Sequence, residues 1–448
     1  MKKSPLSTIP QIETLLRDPA VEECIARLGR QVVTDIARST VDVIRRAALN
    51  EEAAVPPFPD IVERLAAACR DTEKERLQKV VNATGIIIHT NMGRAPIDRD
   101  AWKEAEEINC GYSNLELDLR TGKRGKRKGL IPLLVSTLVD AEDALIVNNN
   151  AAAVFLILHA LAAGREVIVN RGEQVQIGGG FRIPEILELS GAGLVEIGTT
   201  NISTKNDYLS AFSEHTAMIL SVHRSNFALR GFTDAPPMRE LAGIKPEGVL
   251  LCVDQGSGVT DEALPGETSV RSHLRDGADL VCFSGDKVLG GPQSGIIAGR
   301  KELIARLERH PLMRVFRPGK TVYSLLEATL VRRLGGKDTA VSGMLAVSMK
   351  ELKNRGRRIL RGIDRDKASI VESAITTGGG SSPDESFPSL SISIESDEPA
   401  ETVLRALRNA SPPIIGTISD DRVRLNLATI ARDEVPYVRA QLQHILGG

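Results

Sequence analysis

Hydrophobic positions follow three different rhythms along the chain. Over residues 1–80 they recur at helical spacing: Ile12, Leu15 and Leu16, then Val21, Cys24, Ile25 and Leu28, then Val32, Ile36, Val43 and Ile44. Apolar residues three and four apart share one helix face, so this stretch reads as amphipathic helices. Pro56-Pro57-Phe58-Pro59 interrupts the pattern as a short stiff connector, and a further helical stretch is expected over residues 61–79. Over residues 81–335 short apolar runs (86–88, 144–147, 166–169, 194–197, 217–222, 249–253 and 280–283) alternate with helical segments. That alternation predicts βα units and a mostly parallel sheet. Beyond about residue 340 the texture changes: Gly378-Gly379-Gly380-Ser381-Ser382-Pro383 marks a loop, and 389–394 and 423–427 alternate like strands. The expected organisation is a helical domain over 1–80, a large α/β domain over 81–335 and a small α/β domain over 336–448.

Composition narrows the classes of function. With 448 residues there is chain enough for several cores, and 57 basic against 58 acidic residues leave a net charge of −1. No global field draws in a polyanion, so any anion site must be local. The five cysteines (Cys24, Cys69, Cys110, Cys252, Cys282) show no metal-like spacing, and two lie in apolar strands. Reduced, buried thiols in a cytoplasmic protein and no metal site are expected. No apolar run of about twenty residues is present, and the first residues lack a signal-peptide core, so no membrane association is expected.

The richest chemistry lies in residues 278–299, ADLVCFSGDKVLGGPQSGIIAG. An apolar strand opens into a polar turn carrying Ser284, Asp286 and Lys287, and a Gly-Gly-Pro bend leads to a second apolar strand. A lysine held on a rigid, shielded turn is what a pyridoxal phosphate (PLP) enzyme needs for a Schiff base with the cofactor aldehyde. Its partner lies upstream, where the buried run 248–253 (GVLLCV) ends in Asp254. A carboxylate at the C-terminal end of a parallel strand sits at the mouth of an open α/β sheet. There it can pair with a pyridine nitrogen and keep it protonated. For the cofactor phosphate, Asn148-Asn149-Asn150-Ala151-Ala152-Ala153 caps a helix after the run 144–147; backbone N–H groups at a helix start favour an anion. Arg94, Arg314, Arg317 and the basic segment 121–128 (TGKRGKRK) would suit a second, phosphate-like anion.

These segments carry a family resemblance. NATGIIIHTNMGRAP, TGKRG, NNNAAAV, RGEQVQIGGGFRIP, IGTTN, SGDKVLGGPQSGI, RVFRPGKTVYSLLEATL and the late GGGSSPDE resemble the bacterial selenocysteine synthase (L-seryl-tRNA(Sec) selenium transferase) family over nearly the whole length. The resemblance implies PLP fold type I. It implies conversion of seryl-tRNA(Sec) to selenocysteinyl-tRNA(Sec) by PLP-dependent elimination of water and addition of selenium from selenophosphate. Lys287 would carry PLP, with Asp286 beside it as a catalytic residue. Asp254 would face the pyridine nitrogen, and Asn150, Ala151, Ser284 and His223 would contact the cofactor. Arg94, Arg314, Arg317 and Asn226 would bind substrate. The helical N-terminal domain would bind tRNA, and the enzyme would be a homo-oligomer, a ring of dimers.

Three positions depart from the family pattern: Ile202 after Thr199-Thr200-Asn201, Arg224 before Ser225-Asn226, and Ala428 in RLNLATI. They bear on substrate contacts more than on the PLP chemistry. Two other readings are a PLP lyase or ammonia-lyase acting on a small phosphorylated amino acid, and a non-catalytic tRNA-binding paralogue. The N-terminal helices count against the first, and intact Lys287 and Asp254 against the second.

Overall fold

A computed structural model describes residues 8–50, 54–177, 180–224, 227–261, 264–382 and 385–447. The chain divides into two compact units, Met1–Lys79 and Val80–Gly448.

The first unit is helical, with helices Ile12–Leu15, Pro19–Leu28, Arg30–Leu49 and Phe58–Lys74. Val33, Ala37, Val41 and Ile44 of the long helix meet Val21, Cys24, Ile61, Leu65 and Cys69 in one core, as positions three and four apart on a helix face require. Asp18 caps the second helix through Ala20 N, and Gly29, at φ 88, breaks the chain between the second and third. The proline run does not end in a connector. Phe58 and Pro59 already belong to the fourth helix, because a first helical turn needs no N–H from proline.

The second unit is built on a seven-stranded sheet. Its strand order is Asp143–Val147, Gly295–Gly299, Leu280–Ser284, Leu250–Gly256, Thr216–Val222, Glu166–Asn170, Gly193–Ile197. All pairings are parallel except the two made by Gly295–Gly299. Strands 280–284 and 295–299 are buried at every residue, since helices cover both faces of the sheet. One apolar layer packs the helix Asn150–Ala162 against the sheet and another packs Ile131–Val139 and Lys320–Leu334.

A five-stranded sheet forms the other core, ordered Thr417–Ser419, Arg422–Asn426, Phe387–Ile394, Ala368–Gly378, Ile86–Ile88. Here the structure departs from the sequence expectation. Ile86–Ile88 does not join the large sheet but runs parallel to Ala368–Gly378, with Thr376 opposite Ile86 and Gly378 opposite Ile88. Val81–Asn82 likewise pairs with Ile414–Ile415. Three consecutive isoleucines fit any buried strand, and only the partner register decides between sheets.

Candidate functional site

The C-terminal ends of neighbouring strands in the large sheet converge on one centre. Asp254 stands opposite Val222 on one side and Cys282 on the other. His223 follows Val222, and its backbone N–H donates to Asp254 O at 2.9 Å. The Asp254 carboxylate is buried and accepts on Oδ1 from Asn150 Nδ2 at 2.7 Å and, weakly, from Cys282 Sγ at 3.8 Å. Burial pushes its pKa up, opposed by the Asn150 hydrogen bond and the Lys287 charge.

Lys287 sits on a turn stapled by its own backbone. Gly285 N donates to Ser294 O at 2.9 Å, Gly290 N to Lys287 O at 2.9 Å, Gly291 N to Gly285 O at 2.8 Å, and Val288 N to Ser257 O at 3.1 Å. A side chain at Gly285 would bring Cβ within 2.2 Å of Ser294 Oγ, and one at Gly258 within 2.5 Å of Ser284 O. Only glycine lets the two loops approach this closely. Ser284, Asp286 and Lys287 are all buried. Burial lowers the Lys287 pKa and the charge of Asp254 opposes this, so the two groups lie within electrostatic reach of each other. Arg94, itself at φ 65, donates from Nη1 to Asp286 Oδ2 at 2.9 Å, and Ala95 N donates to Asp286 O at 3.2 Å. The segment after Ile86–Ile88 is thereby pinned beside the lysine.

Asn149 caps the helix Asn150–Ala162 by accepting from Ala152 N at 2.8 Å. Ala153 N goes to Asn149 O at 3.2 Å, which leaves the N–H groups of Asn150 and Ala151 outside the helix ladder. Gly295 presses on this turn: a Cβ there would stand 2.2 Å from Asn149 O. Two buried atoms of the centre, Asn150 Oδ1 and Asp286 Oδ1, have no hydrogen-bond partner. Buried polar atoms are rarely left so, and such orphans mark room for a polar group the chain does not itself supply. The donor set matches PLP: a shielded amine for an aldehyde, a buried carboxylate for a ring nitrogen, and a helix start with small residues for a phosphate.

The remaining predicted residues lie elsewhere. Arg314, on the short helix Met313–Phe316, and Arg317 just beyond it line a cavity of about 420 Å³ with Lys126, Arg127 and Lys128. Arg317 Nη1 reaches Glu116 Oε1 at 3.2 Å, an oxygen that also takes Arg127 Nε at 2.7 Å, and Arg124 holds Oε2 at 2.8 Å. Among the described residues their side chains make no bond to the Lys287 turn; a backbone link joins this segment to the Asn148–Asn150 turn, where Asn148 N donates to Phe316 O at 2.9 Å. Asn226 lies outside the described residues. Of the three departures, Ala428 is buried beside Asn426, to whose Oδ1 its N–H donates at 3.1 Å. Ile202 is partly exposed and forms an isolated bridge with Asp234, and the charge of Arg224 acts on Glu173.

Two carboxylates at this centre were not singled out from sequence. Glu173 accepts from Val222 N at 2.9 Å and Ser221 Oγ at 3.4 Å, and burial pushes its pKa up to about 7. Glu267 has a side chain with 0% exposure and accepts from His223 Nε2 at 3.1 Å. RGEQ and LPGET carry no periodic or spacing signal that would have set either apart from a loop glutamate.

Comparison with known proteins follows the same outline. The family model described as L-seryl-tRNA selenium transferase matches residues 80–431, and the one described as selenocysteine synthase N terminal matches residues 6–45. The chain is 38% identical over 457 aligned residues to the L-seryl-tRNA(Sec) selenium transferase of Carboxydothermus hydrogenoformans, covering 99% of this chain and 98% of that protein. It is 40% identical over 462 residues to the protein of the same name from Geobacter metallireducens, covering 98% of each. Among solved structures, a D-glucosaminate-6-phosphate ammonia-lyase superposes with a TM-score of 0.59 at 20% identity, over 83% of this chain and 96% of the other. That likeness is one of fold.

Proposed function

Because this chain belongs to the L-seryl-tRNA selenium transferase family, a family of PLP-dependent enzymes that convert seryl-tRNA(Sec) to selenocysteinyl-tRNA(Sec), we propose that the Lys287–Asp254 centre is where it does so. The fold is that of fold type I PLP enzymes. One observation carries the reading: a buried amine on the turn after Leu280–Ser284 and a buried carboxylate near the end of the adjacent strand Leu250–Gly256 stand beside the start of the helix Asn150–Ala162, whose Asn150 bonds that carboxylate.

When bound, PLP supplies an aldehyde that condenses with an amine and a ring that accepts the electron pair released at Cα. The chain's own residues do the rest. Lys287 would hold the cofactor and, as a free amine, would be the base for the Cα proton; its burial favours the uncharged, basic form. It then returns that proton as the seryl Oγ leaves as water. Asp254, whose Oδ1 accepts from Asn150 and, weakly, from Cys282, would pair with the ring nitrogen and keep it protonated. The N–H groups of Asn150 and Ala151 would hold the cofactor phosphate, and Ser284 and His223 would contact the cofactor. Asp286 holds Arg94 in place.

Arg94, Arg314, Arg317 and Asn226 bind substrate, the three arginines taking selenophosphate. Guanidinium forks suit its tetrahedral oxyanion, and Lys126 and Lys128 add positive charge around Arg314 and Arg317. The helical N-terminal domain over residues 1–80 binds the tRNA; the large domain spans 81–335 and the small domain 336–448, except that the strands within 81–88 pair with the small domain. In that first domain Arg27, Arg30, Arg38 and Arg45 are paired with Glu73, Glu13, Asp35 and Asp42, so tRNA phosphates compete with these exposed pairs. The enzyme acts as a homo-oligomer, a ring of dimers, in the cytoplasm. Among the described residues no helix is long and apolar enough to cross a membrane, and no group of three or more His, Cys, Asp or Glu is placed to hold a metal.

The test is purified protein with PLP, seryl-tRNA(Sec) and selenophosphate, assayed for the selenocysteinyl product. Product that depends on all three and on Lys287 is expected. Turnover by Lys287→Ala at the wild-type rate refutes the assignment.

A further inference from the structure

Glu267 is the group at this centre with the least explained chemistry. Its side chain is wholly inaccessible, and a buried carboxylate is costly unless donors surround it. Three donors do, each from a different segment. His223 Nε2 reaches Oε1 at 3.1 Å from the end of Thr216–Val222, Ser257 Oγ reaches Oε2 at 2.9 Å from the loop after Leu250–Gly256, and Ser382 N reaches Oε1 at 2.7 Å. These bonds outweigh the burial that opposes ionisation and hold Glu267 below the usual carboxylate range. The carboxylate bonds to Nε2, so that nitrogen carries a hydrogen and Nδ1 is left for the site.

The third donor lies far away in the chain. Ser382 ends the Gly-Gly-Gly-Ser-Ser turn at φ 44, and its Oγ donates to Pro265 O at 2.8 Å. A non-glycine residue in the left-handed region persists only where surrounding contacts over-determine it. The same turn abuts the strand that leads to Arg94: a Cβ at Gly379 would lie 2.5 Å from Ile88 Cγ2. One turn therefore touches both walls of the centre, through Glu267 and His223 on one side and through the Arg94 segment on the other.

We propose that Glu267 is a positioning residue: its carboxylate holds the His223 imidazole in one orientation beside Asp254 and takes its own place from the turn at residues 378–382. This rests on the reading of the centre as a PLP site. Glu267 acts on the cofactor through His223, and its charge adds to the field at Lys287, where Asp254, Arg94 and Asp286 also act. His273 faces the His223–Glu267 pair from the neighbouring helix; burial pushes its pKa down to about 4, so it adds no charge there at neutral pH.

Glu267→Gln separates the two parts of this role. All three partners are donors, so an amide oxygen on Oε1 keeps His223 and Ser382, while Ser257 can rotate its hydroxyl to accept from the new NH₂. Shape survives and charge is lost. The experiment measures PLP affinity and the pH midpoint of the visible absorbance of PLP on Lys287, in wild type, E267Q, H223N and the double variant. E267Q is expected to weaken PLP about tenfold, as loss of a charged hydrogen bond does, and to move the midpoint to lower pH, because Glu267 raises the proton affinity at Lys287. Added to H223N, E267Q is expected to change PLP affinity less than twofold. An unchanged midpoint in E267Q, or the same loss of affinity in both backgrounds, overturns the proposal. Wild-type protein that captures no PLP at all overturns instead the functional reading on which it rests.

Discussion

The Lys287–Asp254 centre and the Arg314–Arg317 cavity handle charge in opposite ways. At the centre burial dominates for three groups: it pushes Lys287 down, Asp254 up and Glu173 up to about 7; Glu267, ringed by donors, is the exception. At the cavity partial desolvation is outweighed by the guanidiniums of Arg127, Arg124 and Arg317, which hold Glu116 below the usual carboxylate range. The centre is made by strand register, with each group at a fixed place on a sheet edge. The cavity is made by turns, and one shared carboxylate gathers its cations. The first arrangement suits covalent and proton chemistry, which needs poised neutral groups. The second suits a mobile anion, which needs surplus positive charge that can be redirected from Glu116.

That contrast can be broken by substitution, and the largest effect falls at the centre. Lys287→Ala is expected to abolish the visible cofactor absorbance and lower turnover by at least about 10³-fold, since under the proposed function it removes both the cofactor attachment and the base; spectra and a product assay check it. Asp254→Asn is expected to cost about 10²-fold or more in turnover, as loss of a preorganised electrostatic group does. It also removes the charge that supports protonation of Lys287, so the pH profile of PLP capture moves to lower pH. A profile that stays in place separates Asp254 from Lys287.

Arg314→Ala and Arg317→Ala sharpen the other side. Each is expected to raise KM for selenophosphate about tenfold, the worth of one charge-assisted contact, with a smaller change in kcat. Added salt weakens wild type more than the variants if the cavity works by surplus charge. Steady-state kinetics at two ionic strengths decide this.

Gly295→Ala tests how far the centre depends on the sheet. Its Cβ would stand 2.2 Å from Asn149 O, and such overpacking costs about 1–3 kcal/mol; a lower melting temperature and weaker PLP binding are expected together. The smallest effect is that of Glu116→Gln. The folded state holds this carboxylate below its ordinary pKa, so its stabilising pairs act above that ordinary value and are lost as pH falls through the lowered one. Melting curves of wild type and variant should differ slightly at neutral pH and converge on acidification.

Much of the large sheet was legible from the chain. Six apolar runs are strands of one sheet: five are adjacent and parallel, because a parallel strand covered on both faces needs an unbroken hydrophobic run, while 144–147 joins them through the antiparallel strand Gly295–Gly299. Lys287 and Asp254 stood out because each follows such a run into a glycine-bearing turn. The run at 86–88 is as legible as a strand, but its sheet is not, since three isoleucines satisfy either partner and the register with Ala368–Gly378 decides. Asn150 read as a helix-start residue, and its side chain proves also to brace Asp254, 104 positions away.

By itself the amino-acid sequence determined which segments could be buried strands or helices, which lysine and aspartate follow such strands into glycine-bearing turns, and the family likeness. Local rules suffice for these, because periodicity, glycine turns and caps act over a few residues. Tertiary structure alone decided that Arg94 bonds Asp286, 192 positions on, and that Ser382 reaches Glu267 across 115. It also decided that Arg314 and Arg317 face a cavity gathered by Glu116 rather than the lysine turn of their own chain. Such pairings depend on strand register and loop approach, which nearby residues do not encode, and burial then sets the charge state of whatever they bring together.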